Sequence, residues 1–320
     1  MPDPRIGVQD VQNAYKWILG READPEGLWR YARQLADGDI DQGRLRQILL
    51  DSEEFVAGRL RLEKVSMGDD LWVVVDRDDT EFGQTIVAHG TWEPHIVATL
   101  RAHLRPGDVF VDIGANVGVM SFNAADQVGP GGKVLSFEPL PRNIAHFLRG
   151  VAANRFEHVQ LYPFALSDRR RLLTMSAGSN SKASLGADPL QVSQIAQAIP
   201  GDSFLLGEPK VDLIKIDIEG HEPAAITGLQ RTFARHKPIV LCEFNPLCLR
   251  GDGDTEPEVL ADQLFDMTDS MTVIEHSNRR CEIGSTMDLM HLWRARDDEA
   301  VETGHLPRGW VHFDLLFKVQ

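Results

Sequence analysis

Val111-Asp112-Ile113-Gly114-Ala115-Asn116-Val117-Gly118 sets two glycines four residues apart, directly behind the apolar run Val109-Phe110-Val111. A continuous apolar run of this kind reads as a strand buried on both faces. Glycine at 114 and 118 lets the backbone turn tightly and approach a ligand closely. The residues that follow open a helix, whose first amides can receive a carboxylate or a phosphate. The spacing departs from GxGxxG, because Asn116 stands where the middle glycine would be. A dinucleotide pyrophosphate needs that glycine for close approach. An adenosyl amino acid has no pyrophosphate, so a side chain is tolerated there. Taken alone, the loop is also compatible with a tight turn that holds nothing.

Working outward, strands are expected at Val109–Ile113, Lys133–Phe137, Val159–Phe164, Asp212–Ile218, Pro238–Phe244, Thr272–Glu275 and His312–Lys318, with helical stretches between most of them. Such alternation implies a parallel sheet covered by helices on both faces. His291–Pro307 reads as a polar stretch too irregular for another βα unit, and the last strand as an antiparallel insertion. Upstream, Leu71–Val75, Asp78-Asp79 and Thr85–Val87 read as a β-hairpin, a lid or spacer ahead of a helix from Glu93 to His103. The first sixty residues carry apolar positions at helical spacing, among them Val11, Tyr15, Ile18, Leu28, Tyr31, Leu45 and Leu49. Asp24 is placed to cap a helix beginning at Pro25, and Asp51 or Ser52 to cap a short last one ending near Phe55. The expected fold class is therefore α/β: a Rossmann-like, doubly wound, mostly parallel sheet with a small N-terminal helical bundle. The boundaries drawn are 1–60 for the bundle, 61–108 for the hairpin and lead-in helix, and 109–320 for the main domain. With no clustered His, Cys or paired carboxylates, the bundle reads as a docking or dimerising module, and a homo-oligomer formed through it is one expectation.

The chain has 320 residues and a formal net charge of −15. Nucleic-acid binding needs Lys and Arg to replace condensed counterions, and no basic run of the usual length appears, so no nucleic-acid partner is expected. The three cysteines, Cys242, Cys248 and Cys281, form neither a CxxC pair nor a zinc spacing, which suits a reducing compartment. MPDPRIGVQD lacks the layout of a secretory signal. No apolar run approaches the ~20 residues of a membrane span. A cytoplasmic location is the expectation.

Strand ends carry the candidate chemistry. Ser136-Phe137-Glu138-Pro139 puts an acid where ribose hydroxyls would be received. Ala165-Leu166-Ser167-Asp168 ends the third strand, where Asp168 either accepts an adenine amino group or makes an Asx turn. Lys215-Ile216-Asp217-Ile218-Glu219-Gly220-His221-Glu222 crowds acids and a histidine at the end of the fourth. Alternation puts Lys215 on the side of Asp217 and Glu219, so an ion pair is one reading of it. All these ends fall on the carboxyl edge, where open α/β sheets bind ligands.

These motifs, in this order and at these intervals, strongly resemble the FkbM family of class I methyltransferases. The resemblance runs from about Leu71 to Asn245 and takes in Gly90-Thr91-Trp92-Glu93-Pro94 as a lead-in segment. It implies S-adenosyl-L-methionine as donor and O-methylation, often of sugars or natural-product hydroxyls. By the same resemblance Glu93, Asp112, Gly114, Ala115, Asn116, Gly118, Glu138, Ser167, Asp168 and Asp217 contact the donor. The sequence departs from the family over Arg170–Lys210, which is long and irregular around Pro200-Gly201-Asp202-Ser203, and no family motif is recognisable after Asn245. The acceptor, a small molecule or saccharide, is shaped by those two regions. The N-terminus, from Ile18-Leu19-Gly20-Arg21 through Ser52-Glu53-Glu54-Phe55, looks like the small helical module known as DUF4214, similar to ones found beside carbohydrate-modifying enzymes.

Methyl transfer from a sulfonium is an in-line displacement, so alignment and removal of the acceptor proton are what an enzyme adds. Asp217 is expected to position or deprotonate the acceptor, with Glu219 shaping the site. His221 has the intrinsic pKa of a base, or else caps and packs the next helix. Asp217, Glu219 and Glu243 offer carboxylates to a hard divalent cation, but no spacing demands one and no metal is assigned. Two rivals stand beside this reading. One is an NAD(P)-dependent oxidoreductase, against which Asn116 argues. The other is a scaffold with a vestigial methyltransferase domain, against which the retained acids argue.

Overall fold

The computed structural model describes residues 7–19, 21–55, 62–68, 70–80, 82–177, 183–184 and 194–320. They divide into two compact units, Met1–Glu63 with Asp76–Asp78, and Lys64–Val75 with Asp79–Gln320.

The smaller unit holds α1 (Val8–Leu19), α2 (Pro25–Asp37) and α3 (Gln42–Leu50). Val11, Tyr15, Tyr31, Leu45 and Leu49, spaced as helix neighbours, close into one apolar cluster. The Asp24 carboxylate accepts the Gly27 amide at 2.8 Å ahead of Pro25, which satisfies one of the donors a helix start leaves open. Gly38, at φ 77°, stops the same helix. Ser52 Oγ likewise accepts the Phe55 amide, at 3.1 Å.

Next in the chain is a two-stranded sheet of β1 (Leu62–Ser66) and β2 (Trp72–Asp76), of which residues 64–66 and 72–75 fall in the larger unit. Its turn has Gly68 at φ 89° and Asp70 at φ 63°. The expected hairpin is thus corrected: β2 pairs upstream, while Thr85–Val87 lies in α4 (Gly83–His89). Phe82 and Ile86, four apart, are buried together and Gly90 ends the turn in the left-handed region. A three-residue apolar run is too short to tell the two periods apart.

Next come α5 (Pro94–His103), β3 (Val109–Ile113), α6 (Val119–Val128), β4 (Lys133–Phe137), α7 (Pro141–Asn154) and β5 (Val159–Tyr162). Short strands β6 (Ala165–Leu166), β7 (Arg171–Ala177), β8 (Ala183–Ser184) and β9 (Gln194–Ile199) form a second small sheet. The Arg170–Lys210 stretch is therefore more regular than expected where described; residues 178–182 and 185–193 lie outside the described residues. After α8 (Asp202–Leu205) the main fold resumes with β10 (Leu213–Ile216), α9 (Glu222–Thr227), α10 (Gln230–His236), β11 (Ile239–Phe244), α11 (Pro246–Gly251) and α12 (Pro257–Phe265). It ends with β12 (Met271–Ile274), β13 (Arg280–Ile283), α13 (Thr286–Glu302) and β14 (Phe313–Lys318).

The main sheet has the order β13-β12-β14-β11-β10-β3-β4-β5. The run from β11 to β5 is parallel, and β14 enters antiparallel between β11 and β12. This is a Rossmann-like, doubly wound, mostly parallel sheet. Alternation along each strand supplies both faces: Val109, Val111 and Ile113 belong to one core cluster and Phe110 to the other. Buried Phe110, Phe122 and Phe147 anchor the second; truncating such a ring to Ala costs about 3–5 kcal/mol.

The reading of His291–Pro307 as irregular is corrected too, since α13 covers most of it. Ser285 Oγ caps the helix through the Asp288 amide at 3.1 Å. Asp297 sits buried on its inner face, where the Gly309 amide (2.7 Å) and Arg308 (3.1 Å) satisfy it. A charged residue on the core side hides helical periodicity from a sequence reading. Among the described residues no helix is long and apolar enough to cross a membrane.

Candidate functional site

The chain leaves β3 and crosses to β4 on one side, then returns to β10 on the other, so the loops diverge above β3. That switch point opens a crevice at the carboxyl ends of the strands. A cavity of about 600 Å³ occupies it, within the ~300–1,000 Å³ usual for small-molecule sites.

The glycine loop forms one wall. The amides of Gly114 and Ala115 both reach the Phe137 carbonyl at 3.0 Å, which locks the loop to the end of β4. Gly114 is at φ 88°, and a Cβ there would run into the Asp217 carbonyl oxygen. The expected freedom of this glycine is thus used for close approach of two loops. Asn116 follows at φ 49° with its side-chain oxygen buried and unpartnered against the cavity. A buried acceptor of that kind costs free energy until a donor reaches it.

Glu138, 4 % exposed, receives the Asn116 amide on Oε2 at 2.9 Å. Its Oε1 accepts the Leu140 amide at 2.9 Å and Asn143 Nδ2 at 3.3 Å. Burial pushes its carboxyl up to about 7, against the pull of those hydrogen bonds. The acid at the end of β4 therefore ties the glycine loop to the start of α7 and lines the cavity as well.

Opposite lies the end of β10. Lys215, 4 % exposed, donates to Asp217 Oδ2 at 2.7 Å. In register it lies beside Asp112 on β3. Burial works against its ammonium, but the charges of Asp217, Asp112 and Glu93 outweigh burial and hold its pKa above the ordinary lysine value. The positive charge offered to Asp217 is thus the lysine's. Glu219, at φ 54°, accepts Cys248 Sγ at 3.2 Å. Glu222 turns inward and receives the amides of Ile218 (2.9 Å) and Gly220 (3.3 Å), so it clasps the loop; burial pushes it up to about 7. Glu93, Asn116 and Glu219 all line the cavity in the left-handed region. Such conformations cost about 1–3 kcal/mol each for residues other than glycine and gather at functional sites.

His221 also faces the cavity, but its Nε2 lies 3.1 Å from Ser167 Oγ and 3.4 Å from Arg171. Burial and the Arg171 charge lower its pKa to about 4, so the ring is neutral near pH 7. Ser167 Oγ contacts Asp168 Oδ1 at 2.9 Å, and Arg171 stands 3.6 Å from the same carboxylate. Burial tends to raise the Asp168 pKa, yet the Ser167 hydroxyl and the Arg171 and Arg169 charges bring it below the usual carboxylate range.

Eight expected residues meet around the cavity: Glu93, Gly114, Ala115, Asn116, Glu138, Asp217, Glu219 and His221. Four do not line it. Asp112 is buried beneath the loop and accepts Ser121 Oγ at 2.6 Å. Gly118 packs on the Phe122 ring. Ser167 and Asp168 belong to the network with Arg171 just described.

Three histidines of another wall escaped the sequence reading, which had named only its Glu243. His95, His276 and His312 line the cavity together with Glu243. His95 Nε2 lies 3.2 Å from Asp314 Oδ2. Glu243 is opposite Asp314 across β11 and β14. Burial, with the charges of Asp217, Glu219, Glu222 and Asp314, raises the Glu243 pKa well above the carboxylate range. The signal was present: if the last strand is antiparallel, the residue after β12 and the residue before β14 share one end of the sheet.

These residues fit an adenosyl sulfonium. The unpartnered Asn116 oxygen and the Glu138 carboxylate offer acceptors, and Glu93, Asp217 and Glu219 set negative charge around the cavity for a cation.

A family model described as "Methyltransferase FkbM domain" matches residues 112–276, just over half of the chain. A second, "Domain of unknown function (DUF4214)", matches residues 9–58. No curated protein matches. Among solved structures, a methyltransferase FkbM from Methylobacillus flagellatus KT is similar at TM-score 0.42 and 15% identity, over 98% of this chain. The chain spans 62% of that protein's length. A putative O-methyltransferase from Klebsiella pneumoniae is similar at TM-score 0.39 and 15% identity, over 71% of this chain and 80% of its own. A SAM-dependent O-methyltransferase from Thermotoga maritima is similar at TM-score 0.39 and 12% identity, over 71% of this chain and 64% of its own.

Proposed function

The chain belongs to the FkbM methyltransferase family, and on that premise we propose that it methylates a hydroxyl oxygen of a sugar, glycoconjugate or natural-product acceptor. Its donor is S-adenosyl-L-methionine. When bound, the donor supplies a methyl carbon made electrophilic by the sulfonium charge.

In this reading Glu138 and the Gly114–Asn116 loop hold the adenosyl moiety. Glu138 accepts ribose hydroxyls through lone pairs that its backbone donors leave over. Glu93 and Glu219 place negative charge beside the sulfonium. Asp217 receives the acceptor hydroxyl and takes its proton on a carboxylate oxygen, while Lys215 holds that carboxylate in place. His221, neutral and engaged by Ser167 and Arg171, supports the wall and is not the base. Held geometry of this kind is worth ~7–11 kcal/mol in favourable cases, and a positioned base ~10²–10⁴-fold.

One observation carries the proposal: the Lys215–Asp217 pair and Glu138 open on the same cavity, across the glycine loop from each other. The acceptor class rests on the family resemblance and on the helical module at residues 9–58. A cytoplasmic site of action remains part of the same proposal. The test is incubation with methyl-labelled donor and a panel of saccharides and hydroxylated natural products, after calorimetry with S-adenosylhomocysteine. Label on a nitrogen or carbon acceptor would overturn the oxygen assignment, and no heat with S-adenosylhomocysteine would overturn the donor site.

A further inference from the structure

We propose that His95, His276 and Asp314 hold a divalent transition-metal ion on the wall of the cavity facing away from the glycine loop. The three come from distant parts of the sequence, on α5, just after β12 and on β14, and the fold converges them. One ligand atom from each lies no more than 4.8 Å from the others. Bonds of about 2.1 Å to one ion put neighbouring ligand atoms about 3.0–3.4 Å apart and opposed ones about 4.2 Å apart. The 3.2 Å between His95 Nε2 and Asp314 Oδ2 matches the first spacing, and the exposed His276 ring packs beside the His95 ring at 4.9 Å between centroids.

A second, independent observation points to a cation. Glu243 is the cross-strand partner of Asp314 and is 9 % exposed, and its Oε2 has no hydrogen-bond partner. It lines the same cavity as His95 and His276. A buried acid oxygen left unpartnered in this way is costly until a donor or a cation reaches it. Lys215 is taken up by Asp217. A dication at the His95–Asp314 pair would answer both Asp314 and Glu243.

The donor set selects the ion. Two imidazoles and one carboxylate suit Zn²⁺, Fe²⁺, Co²⁺ or Ni²⁺, whereas Mg²⁺ and Ca²⁺ prefer oxygen throughout. Three protein ligands leave at least one position for a water or a substrate oxygen. An oxygen bound there would lose its proton more readily.

The test reads the metal alone. Untagged full-length protein, stripped with a chelator, is titrated with Co²⁺ and followed by calorimetry and visible absorption. We expect one tight equivalent, retained against excess Mg²⁺, with affinity reduced more than ~100-fold in His276→Ala and in His95→Ala, beyond the ~10–100-fold typical of outer partners. His276 is exposed, so His276→Ala remains informative if His95→Ala fails to fold. Glu243→Gln should weaken binding about 10-fold. No uptake, displacement by Mg²⁺, or uptake unchanged in His276→Ala would overturn the site. S-adenosylhomocysteine binding on the same samples separates the two readings, since a missing metal leaves the donor site untouched.

Discussion

Lys215 and Asp217, two residues apart at the end of one strand, form an ion pair of 2.7 Å in which the ammonium is buried and the carboxylate partly exposed. The lysine is the interior counter-charge that keeps an acid cluster of Asp112, Asp217 and Glu93 tolerable. It also means that the two residues cannot be tested as if independent.

Asp217→Asn keeps the shape of the side chain while removing its charge. Turnover should fall by about 10²–10⁴-fold, with affinity for S-adenosylhomocysteine changed less than about fivefold. Parallel initial-rate and calorimetric measurements check this, and unchanged turnover removes Asp217 from the chemistry. Asp217→Ala should in addition lower stability, because it strands a buried ammonium.

Glu138→Gln puts an amide donor among groups that already donate to Glu138: the Asn116 and Leu140 amides and Asn143. S-adenosylhomocysteine should bind at least 10-fold more weakly, since hydrogen bonds to a charged group are worth ~1.5–3 kcal/mol. Binding to the wild type should also strengthen from pH 6 to pH 8 as Glu138, with a carboxyl near 7, ionises into the better acceptor. A flat pH profile for the wild type would contradict it.

Gly114→Ala forces a side chain into the Asp217 carbonyl at a φ that disfavours it. The cost should be on the order of 2–4 kcal/mol of unfolding free energy, read as a lower urea midpoint. Gly38→Ala, also at positive φ but with open space around it, should cost clearly less.

Two buried groups tilt stability with pH in opposite directions. Glu222, near 7 when folded and lower when unfolded, lets the native state hold the extra proton, so its contribution is lost as pH rises toward 7. His221, near 4 when folded and 6.5 when unfolded, does the reverse: its contribution is present above pH 6.5 and lost as pH falls toward 4. Melting curves from pH 4 to 8 should show a shallower alkaline decline in Glu222→Gln and a shallower acid decline in His221→Gln.

Much of this site was legible because its residues sit within a few positions of strand ends. Gly114, Glu138 and Asp217 each follow an apolar run that names its own strand, and the parallel order sets them at one edge. What the sequence hid was long-range or masked. His95 and Asp314 meet across 219 positions, and no local pattern couples them. Thr85–Val87 is too short to choose between periods, and the buried Asp297 of α13 broke an otherwise helical signal. Asp112 entered through the family resemblance and Asp168 as either an adenine acceptor or an Asx turn; in the structure Ser121 holds Asp112 below the loop and Arg171 stands beside Asp168.

The position of β14 bears on how the chain reaches its native state during synthesis. β12 and β13 leave the ribosome before β14, yet the edge of β11 is filled by β14, and the β12–β13 pair joins the rest of the sheet through the outside of β14. That hairpin therefore has no seat until Phe313–Lys318 has threaded between. Closing the sheet must be a late, non-local event, of the kind that slows folding, and nascent chains stalled before residue 313 should expose the apolar edge of β11 to chaperones.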